Sequence, residues 1–213
     1  MPNALGQPTL GDLIDEIADD IERADLDPQI RTAVERAIRH YQPERFFFNE
    51  AILTFQTLAG SDVYSRGDTG DLPDLMAIDS VVLIEDGRST VLTRMPETSV
   101  EAWDDQASAS RPCAYSYFDR SIRLWPIPSD ALTVRIAAHV RLPVPVTRAD
   151  ANAWTDEASS LIAAHAKRHL ARNVLRSPSL AVAQTPVVDE EERALRGRSN
   201  VIASSGQVAA YNL

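Results

Sequence analysis

With 213 residues, 44% of them hydrophobic, the chain can bury a substantial core as one domain or as two small ones. The single cysteine, Cys113, excludes an internal disulfide, no Cys/His cluster suggests a structural metal, and no run approaches the roughly 20 apolar residues of a spanning helix, so a soluble, unsecreted protein is expected. The net charge of −10 is uneven, at −6 in residues 1–60, −8 in residues 61–110 and about +4 in the remainder. Duplex affinity comes mainly from Lys and Arg neutralising phosphates, which argues against a sequence-reading DNA binder and leaves a solvated acidic surface as the plain reading.

A first helix is marked by Thr9 and Asp12 at capping-box spacing, with Leu10, Leu13, Ile14, Ile17 and Ile21 recurring at helical intervals. Asp27 as N-cap and Pro28 as first helical residue open a second, whose stripe of Ile30, Val34, Ala37, Ile38 and Tyr41 stops before Pro43. The period then changes from helical to two. Phe46, Phe47 and Phe48 lead into a strand in which Ala51, Leu53 and Phe55 alternate with Ile52, Thr54 and Gln56, ending at Gly60. After a polar loop over 61–74, runs at 78–85 and 89–95 flank Asp86-Gly87, the signal of a tight hairpin. A short helix is expected over 99–106 with Trp103 inward, then a hairpin of 115–118 and 122–125 turning through Asp119 and Arg120. From Leu132 to Leu142, Leu132, Val134, Ile136, Ala138, Val140 and Leu142 alternate with Thr133, Arg135, Ala137, His139 and Arg141, as in a strand with one solvated face.

Residues 155–176 are rich in Ala, Leu and Arg without internal Gly or Pro, which predicts a helix burying Leu161, Ile162, Ala166, Leu170, Val174 and Leu175 and ending at Pro178. A short helix from Pro186, acidic at its start and basic at its end, is expected to close at Gly197 or near Asn200. Residues 199–213 carry no periodicity and are expected to be disordered alone. The fold class is therefore α+β, a helical bundle from N- and C-terminal helices with an inserted antiparallel β-rich region and an extended C-terminal tail. The expected domains are a hairpin at 1–45, a β-rich insert at 46–148, helices completing the bundle at 149–198 and the tail at 199–213.

No catalytic, cofactor or metal site emerges. His165 and His169 stand four apart, but Ala-Lys-Arg lies between them and no third ligand is evident, so two solvent-facing or interface histidines are the better reading. The doublets Asp19–Asp20 and Asp104–Asp105 point about 100° apart if helical and do not suit a glycosidase pair. Cys113 has no nearby histidine and reads as a packed thiol. Tyr115, Tyr117, Phe118 and Trp125, which could stack bases, read as core.

The order of several segments resembles the head-to-tail adaptor, or tail-accessory, proteins of short-tailed phages. These are Thr9-Leu10-x-x-Leu13-Ile14; Ile30, Ala33, Ala37, Ile38 and Tyr41 followed by Pro43 to Glu50; and Phe55-x-Thr57-x-Ala59-Gly60 with Tyr64. Arg111-Pro112-x-x-Tyr115, Ile122-x-Leu124-x-Pro126-x-Pro128 and Asn152-x-Trp154 before a long helix complete the likeness. The resemblance implies a non-enzymatic virion protein at the head–tail junction, needing no cofactor and assembling as a homo-oligomeric ring, with twelve copies in such adaptors. Its partners would be the portal protein on one side and tail or nozzle components on the other, with DNA passing an acidic lumen without specific binding and no membrane contact. The C-terminal segment would dock on the portal through Val201, Ile202, Val208, Tyr211 and Leu213. The alternatives are another head- or tail-completion protein, or a virion-associated peptidoglycan hydrolase.

Overall fold

The computed structural model describes residues 6–67, 72–101 and 109–203. In chain order its elements are α1 (Leu10–Asp20), α2 (Asp27–Tyr41), β1 (Glu50–Gln56), β2 (Val63–Tyr64), β3 (Leu75–Glu85), β4 (Arg88–Val91), β5 (Thr93–Arg94) and α3 (Glu97–Glu101). There follow β6 (Ala109–Ser110), β7 (Ala114–Phe118), β8 (Ser121–Trp125), β9 (Ile127–Pro128), β10 (Thr133–Val140), α4 (Ser159–Asn173) and α5 (Pro178–Ala203). This is the α+β class, with helices towards both ends and largely antiparallel sheets between them. The chain divides into two compact units, a helical one from the segments up to Phe48 and from Leu142 onward, and a β-rich one from Asn49 to Arg141.

In the helical unit α4 packs on α2, α5 and α1. The apolar stripes fill one core: Leu10, Leu13, Ile14 and Ile17 from α1, Ile30, Val34 and Ile38 from α2, Leu161, Ile162, Ala166 and Leu170 from α4, and Val188 and Leu195 from α5. Thr9 closes a full capping box with Asp12. The next donors of α1 leave the helix, Leu10 N–H reaching the Asp150 carbonyl and Gly11 N–H the Arg148 carbonyl, both at 2.8 Å. All four otherwise orphaned amides of that turn, from Thr9 to Asp12, are thereby satisfied. Asp150 is itself held by the Val146 and Thr147 amides and the Thr147 hydroxyl. Those bonds, that of the Thr147 side chain foremost, pull its carboxyl down to about 2.

Several sequence-based expectations change here. Phe47–Asn49 form a 3-10 turn rather than the start of a strand, and Phe46 is fully buried in the helical core, its ring 6.1 Å from that of Trp154, with Phe48 at 5.1 Å. Packing the Phe46 and Phe48 rings against one tryptophan outweighs extending the strand. α4 starts at Ser159, four residues after the expected Thr155, because Thr155 is engaged in a turn with Asn152 and donates its hydroxyl to the Pro8 carbonyl at 2.8 Å. Pro178 opens α5, and Pro186 lies inside it rather than at a helix start. Both Pro186 and Val182, whose carbonyl the proline leaves without its amide, are exposed, so water can serve that oxygen. α5 also runs past Gly197 and Asn200 to Ala203, and Ser199 is buried there, donating to the Leu195 carbonyl at 3.0 Å and accepting from the Phe47 amide at 3.3 Å. The expected tail therefore begins as helix, with Ser199 as a packed residue rather than the first of a disordered stretch.

The β-rich unit holds a four-stranded antiparallel sheet ordered β1-β10-β3-β4 and a second four-stranded sheet ordered β2-β8-β7-β5, in which β5 runs parallel to β7. The β3–β4 hairpin turns through Asp86 and Gly87 and the β7–β8 hairpin through Asp119 and Arg120, all four with left-handed backbone angles as type I′ turns need. In β10, Val134, Ile136, Ala138 and Val140 are buried as the alternation predicts. His139, expected on the solvated face, is also buried, although β10 keeps its alternation and an unbroken register with β1; the two β10–β3 register shifts beside it leave Asp79 and Met76 of β3 as the extra residues. Among the grouped aromatics, Tyr115 is core, Tyr117 and Trp125 are half-buried, and Phe118 at the hairpin end is 68% exposed. The expected helix over 99–106 is the shorter α3, while Trp103, Asp104 and Asp105 lie outside the described residues.

Candidate docking surfaces

The C-terminal anchors divide at Ala203. Val201 and Ile202 occupy the last turn of α5 and are 76% and 60% exposed, two large apolar side chains left in water at the end of the helix. Val208, Tyr211 and Leu213 lie outside the described residues. Periodicity could not have shown the helical start of this segment, because Ser199 is drawn in by Phe47, a partner 152 residues away.

His165 and His169 do not face solvent together. His165 is wedged between helices, its ring 4.8 Å from that of His40 and 5.4 Å from Tyr41, and burial, with Arg168, His40 and His169 adding like charge, drives its pKa from 6.5 to about 4. His169 Nε2 accepts from Arg36 at 3.1 Å, and burial followed by that guanidinium lowers its pKa as well. Both imidazoles are therefore neutral packing groups near pH 7. No group of three or more His, Cys, Asp or Glu among the described residues could hold a metal ion. Asp19 and Asp20 are exposed on α1, Asp20 paired with Lys167 at 2.7 Å. Cys113 is exposed rather than packed, since its strand-flanking backbone is bonded to Trp125 and Thr93 while the thiol points outward.

A feature that motif searching missed lies between α4 and α5. A groove of roughly 660 Å³ is lined by His165, Arg168, His169, Arg172 and Arg176, and by Ala181 and Val182 on the α5 side. Arg168 and Arg172 stand four apart on one stripe of α4, and Arg176 follows beyond the helix end in left-handed backbone. None of the three has an ion-pair partner among the described residues, whereas Arg148, Arg196 and Arg198 of the same unit are each tied to carboxylates. The signal was present in the sequence as the spacing 168, 172, 176, but only the position of α5 turns that stripe into a groove wall.

In the β-rich unit the charged cluster is structural. Arg123 donates to Asp62 at 2.7 Å and to Glu97 at 2.8 Å, and Glu97 also accepts from Ser116. Burial raises the Glu97 pKa, but the bonds from Ser116 and Arg123 outweigh it and hold the carboxyl below its usual value.

The SU10 adaptor protein family model matches residues 8–207, which spans both units and nearly the whole chain. The chain belongs to the SU10 adaptor protein family. A search of curated proteins gives no match. Membership makes this a structural bacteriophage protein, an adaptor of the head–tail junction that works with portal and tail components. No described helix is long and apolar enough to cross a membrane.

Proposed function

We propose that this adaptor assembles into a ring of about twelve copies that docks on the portal and presents its other side to the tail, with the segment from Val201 to Leu213 as the portal-docking element. The observation that carries the reading is the match of the SU10 adaptor model from residue 8 to residue 207, which takes in both the helical unit and the start of that segment. Val201 and Ile202 support the docking role, since exposed apolar side chains at a helix end gain by burial against a partner. Val208, Tyr211 and Leu213 add further apolar side chains later in the same segment of the sequence. A segment that orders only on its partner takes its entropy cost at that moment, which suits stepwise addition. The ring's lumen carries acidic side chains, so DNA passes by repulsion without specific binding.

Electron microscopy of the protein alone and mixed with its cognate portal tests this. A ring, or an added layer on the portal of about twelve-fold symmetry, supports the reading. Unchanged portals and a free monomer would refute it and move the protein to another head- or tail-completion role, with a cell-wall clearing assay then testing for a peptidoglycan hydrolase. Deleting Val201 to Leu213 should abolish portal attachment while leaving the thermal melt nearly unchanged, because Ser199, buried in α5, is retained.

A further inference from the structure

The unpaired basic charge of the α4–α5 groove is unusual in a chain of net charge −10, and it is costly as it stands. Like charges four apart on a helix, as Arg168 and Arg172 are, repel one another, a cost removed when carboxylates settle among them. The matching acids are in the same unit, but none of them forms an ion pair with the groove's arginines among the described residues. On α1, Asp12, Asp15, Glu16, Asp19 and Asp20 are all exposed along one face. Asp12 is used by the cap, Asp15 by Arg148 and Asp20 by Lys167, while Glu16 and Asp19 have no ion-pair partner among the described residues. α1 packs on α2 and α4 and α5 on α4, so the acidic face and the basic groove belong to different elements.

Two complementary patches left unpaired within one subunit can form a head-to-tail contact when copies associate, and such contacts close into a ring if the rotation permits. We infer that the groove between α4 and α5 receives the acidic face of α1 from an adjacent copy of this chain, Glu16 and Asp19 entering beside Arg168 and Arg172. The inference rests on the ring reading above and specifies its subunit contact. The dimensions agree: Arg168 and Arg172 stand about 6 Å apart along α4, and Glu16 and Asp19 about 4.5 Å apart along α1. The groove also has an apolar wall, with Val182 71% exposed beside Ala181 and Pro178, which a protein surface can cover and a phosphate backbone cannot. A duplex would in addition have to approach a protein of net charge −10.

The test uses the full chain with its portal and three variants: Arg168→Glu/Arg172→Glu, Glu16→Arg/Asp19→Arg, and all four changes together. Assembly is read as adaptor copies retained per portal and as rings in solution, and circular dichroism melts confirm that each variant folds. Each double reversal should raise the concentration needed for assembly roughly ten-fold or more, as loss of about 1.4 kcal/mol per contact implies. The fourfold variant should restore assembly, and so should an equal mixture of the two double variants, since alternating copies then present opposite charge at every contact. Unaltered assembly by the groove reversal, or loss that neither the mixture nor the fourfold variant restores, overturns the inference while leaving the ring intact. Retention of wild type but not of the groove reversal on duplex DNA at physiological salt would assign the groove to nucleic acid and overturn it too. If wild type itself forms no ring or layer, the ring reading fails and the groove contact fails with it.

Discussion

Replacing Gly11 by alanine separates two opposed expectations about the entry to α1. Helix propensity alone favours the change by up to about 1 kcal/mol, since alanine loses less backbone entropy than glycine. In the structure, however, a Cβ at Gly11 would stand 2.9 Å from the Arg148 carbonyl oxygen and 3.3 Å from the Arg148 Cβ. That oxygen is backbone, fixed by the bond it accepts from Gly11 N–H at 2.8 Å and by the Asp150-centred turn that follows it. It cannot rotate away as a side chain would. Moving the loop loosens both the Gly11 and the neighbouring Leu10 to Asp150 bond, a strain of about 2–3 kcal/mol by comparison with overpacked cores. Set against the propensity gain, the net loss is about 1–2 kcal/mol, or a fall in Tm of roughly 2–8 °C for a chain of this size. Thermal denaturation of Gly11→Ala followed by circular dichroism reads this directly. A Tm equal to or above that of wild type would refute the close approach of loop and helix, because then propensity alone would be operating.

Three further outcomes follow from the same geometry. His165, depressed from 6.5 to about 4 chiefly by burial, takes up its proton more readily unfolded than folded, so its contribution to stability is lost as pH falls from about 6.5 towards 4. The side chain is only half-buried, which limits the effect to on the order of 1 kcal/mol; between pH 7 and pH 5 wild type should lose that much more stability in urea titrations than His165→Gln, and equal losses would contradict the wedge between the helices. Arg123→Met should destabilise the β-rich unit by about 1–3 kcal/mol at pH 7, since it leaves Asp62 and Glu97 facing each other without their shared cation. Because Glu97 is held low in the wild type, its contribution is present above its ordinary value of 4.5 and lost below it, so the gap between wild type and variant should narrow as pH falls; a gap constant with pH would rule this out. Arg120→Gly should raise stability by about 1 kcal/mol despite losing an exposed contact to Asp74 at 3.7 Å, since Arg120 sits at φ 59° in the β7–β8 turn; a lower melting temperature would refute the relief of strain.

Local order was legible in the amino-acid sequence wherever one short stretch contained the whole cause. Thr9 with Asp12 marks the start of α1, Asp86-Gly87 and Asp119-Arg120 mark two hairpins, and the apolar stripes of α1, α2 and α4 are the residues that fill the helical core. The adaptor resemblance, carried by the order of such stretches, agrees with the family match over residues 8–207. Tertiary structure decided what depends on distant partners. Phe46 joins the helical core because Trp154 stands where its ring can be buried, His139 is covered on the face that alternation alone leaves to solvent, and α5 runs on through Pro186 and past Gly197 because its solvent side tolerates the proline and Phe47 engages Ser199. The arginine groove belongs to the same class, since spacing places Arg168 and Arg172 on one stripe but only the packing of α5 beside α4 makes a surface that a second molecule can enter. Sequence periodicity records which face of an element is apolar; which surface covers that face, and what charge is left uncompensated beside it, is set by contacts between residues far apart in the chain.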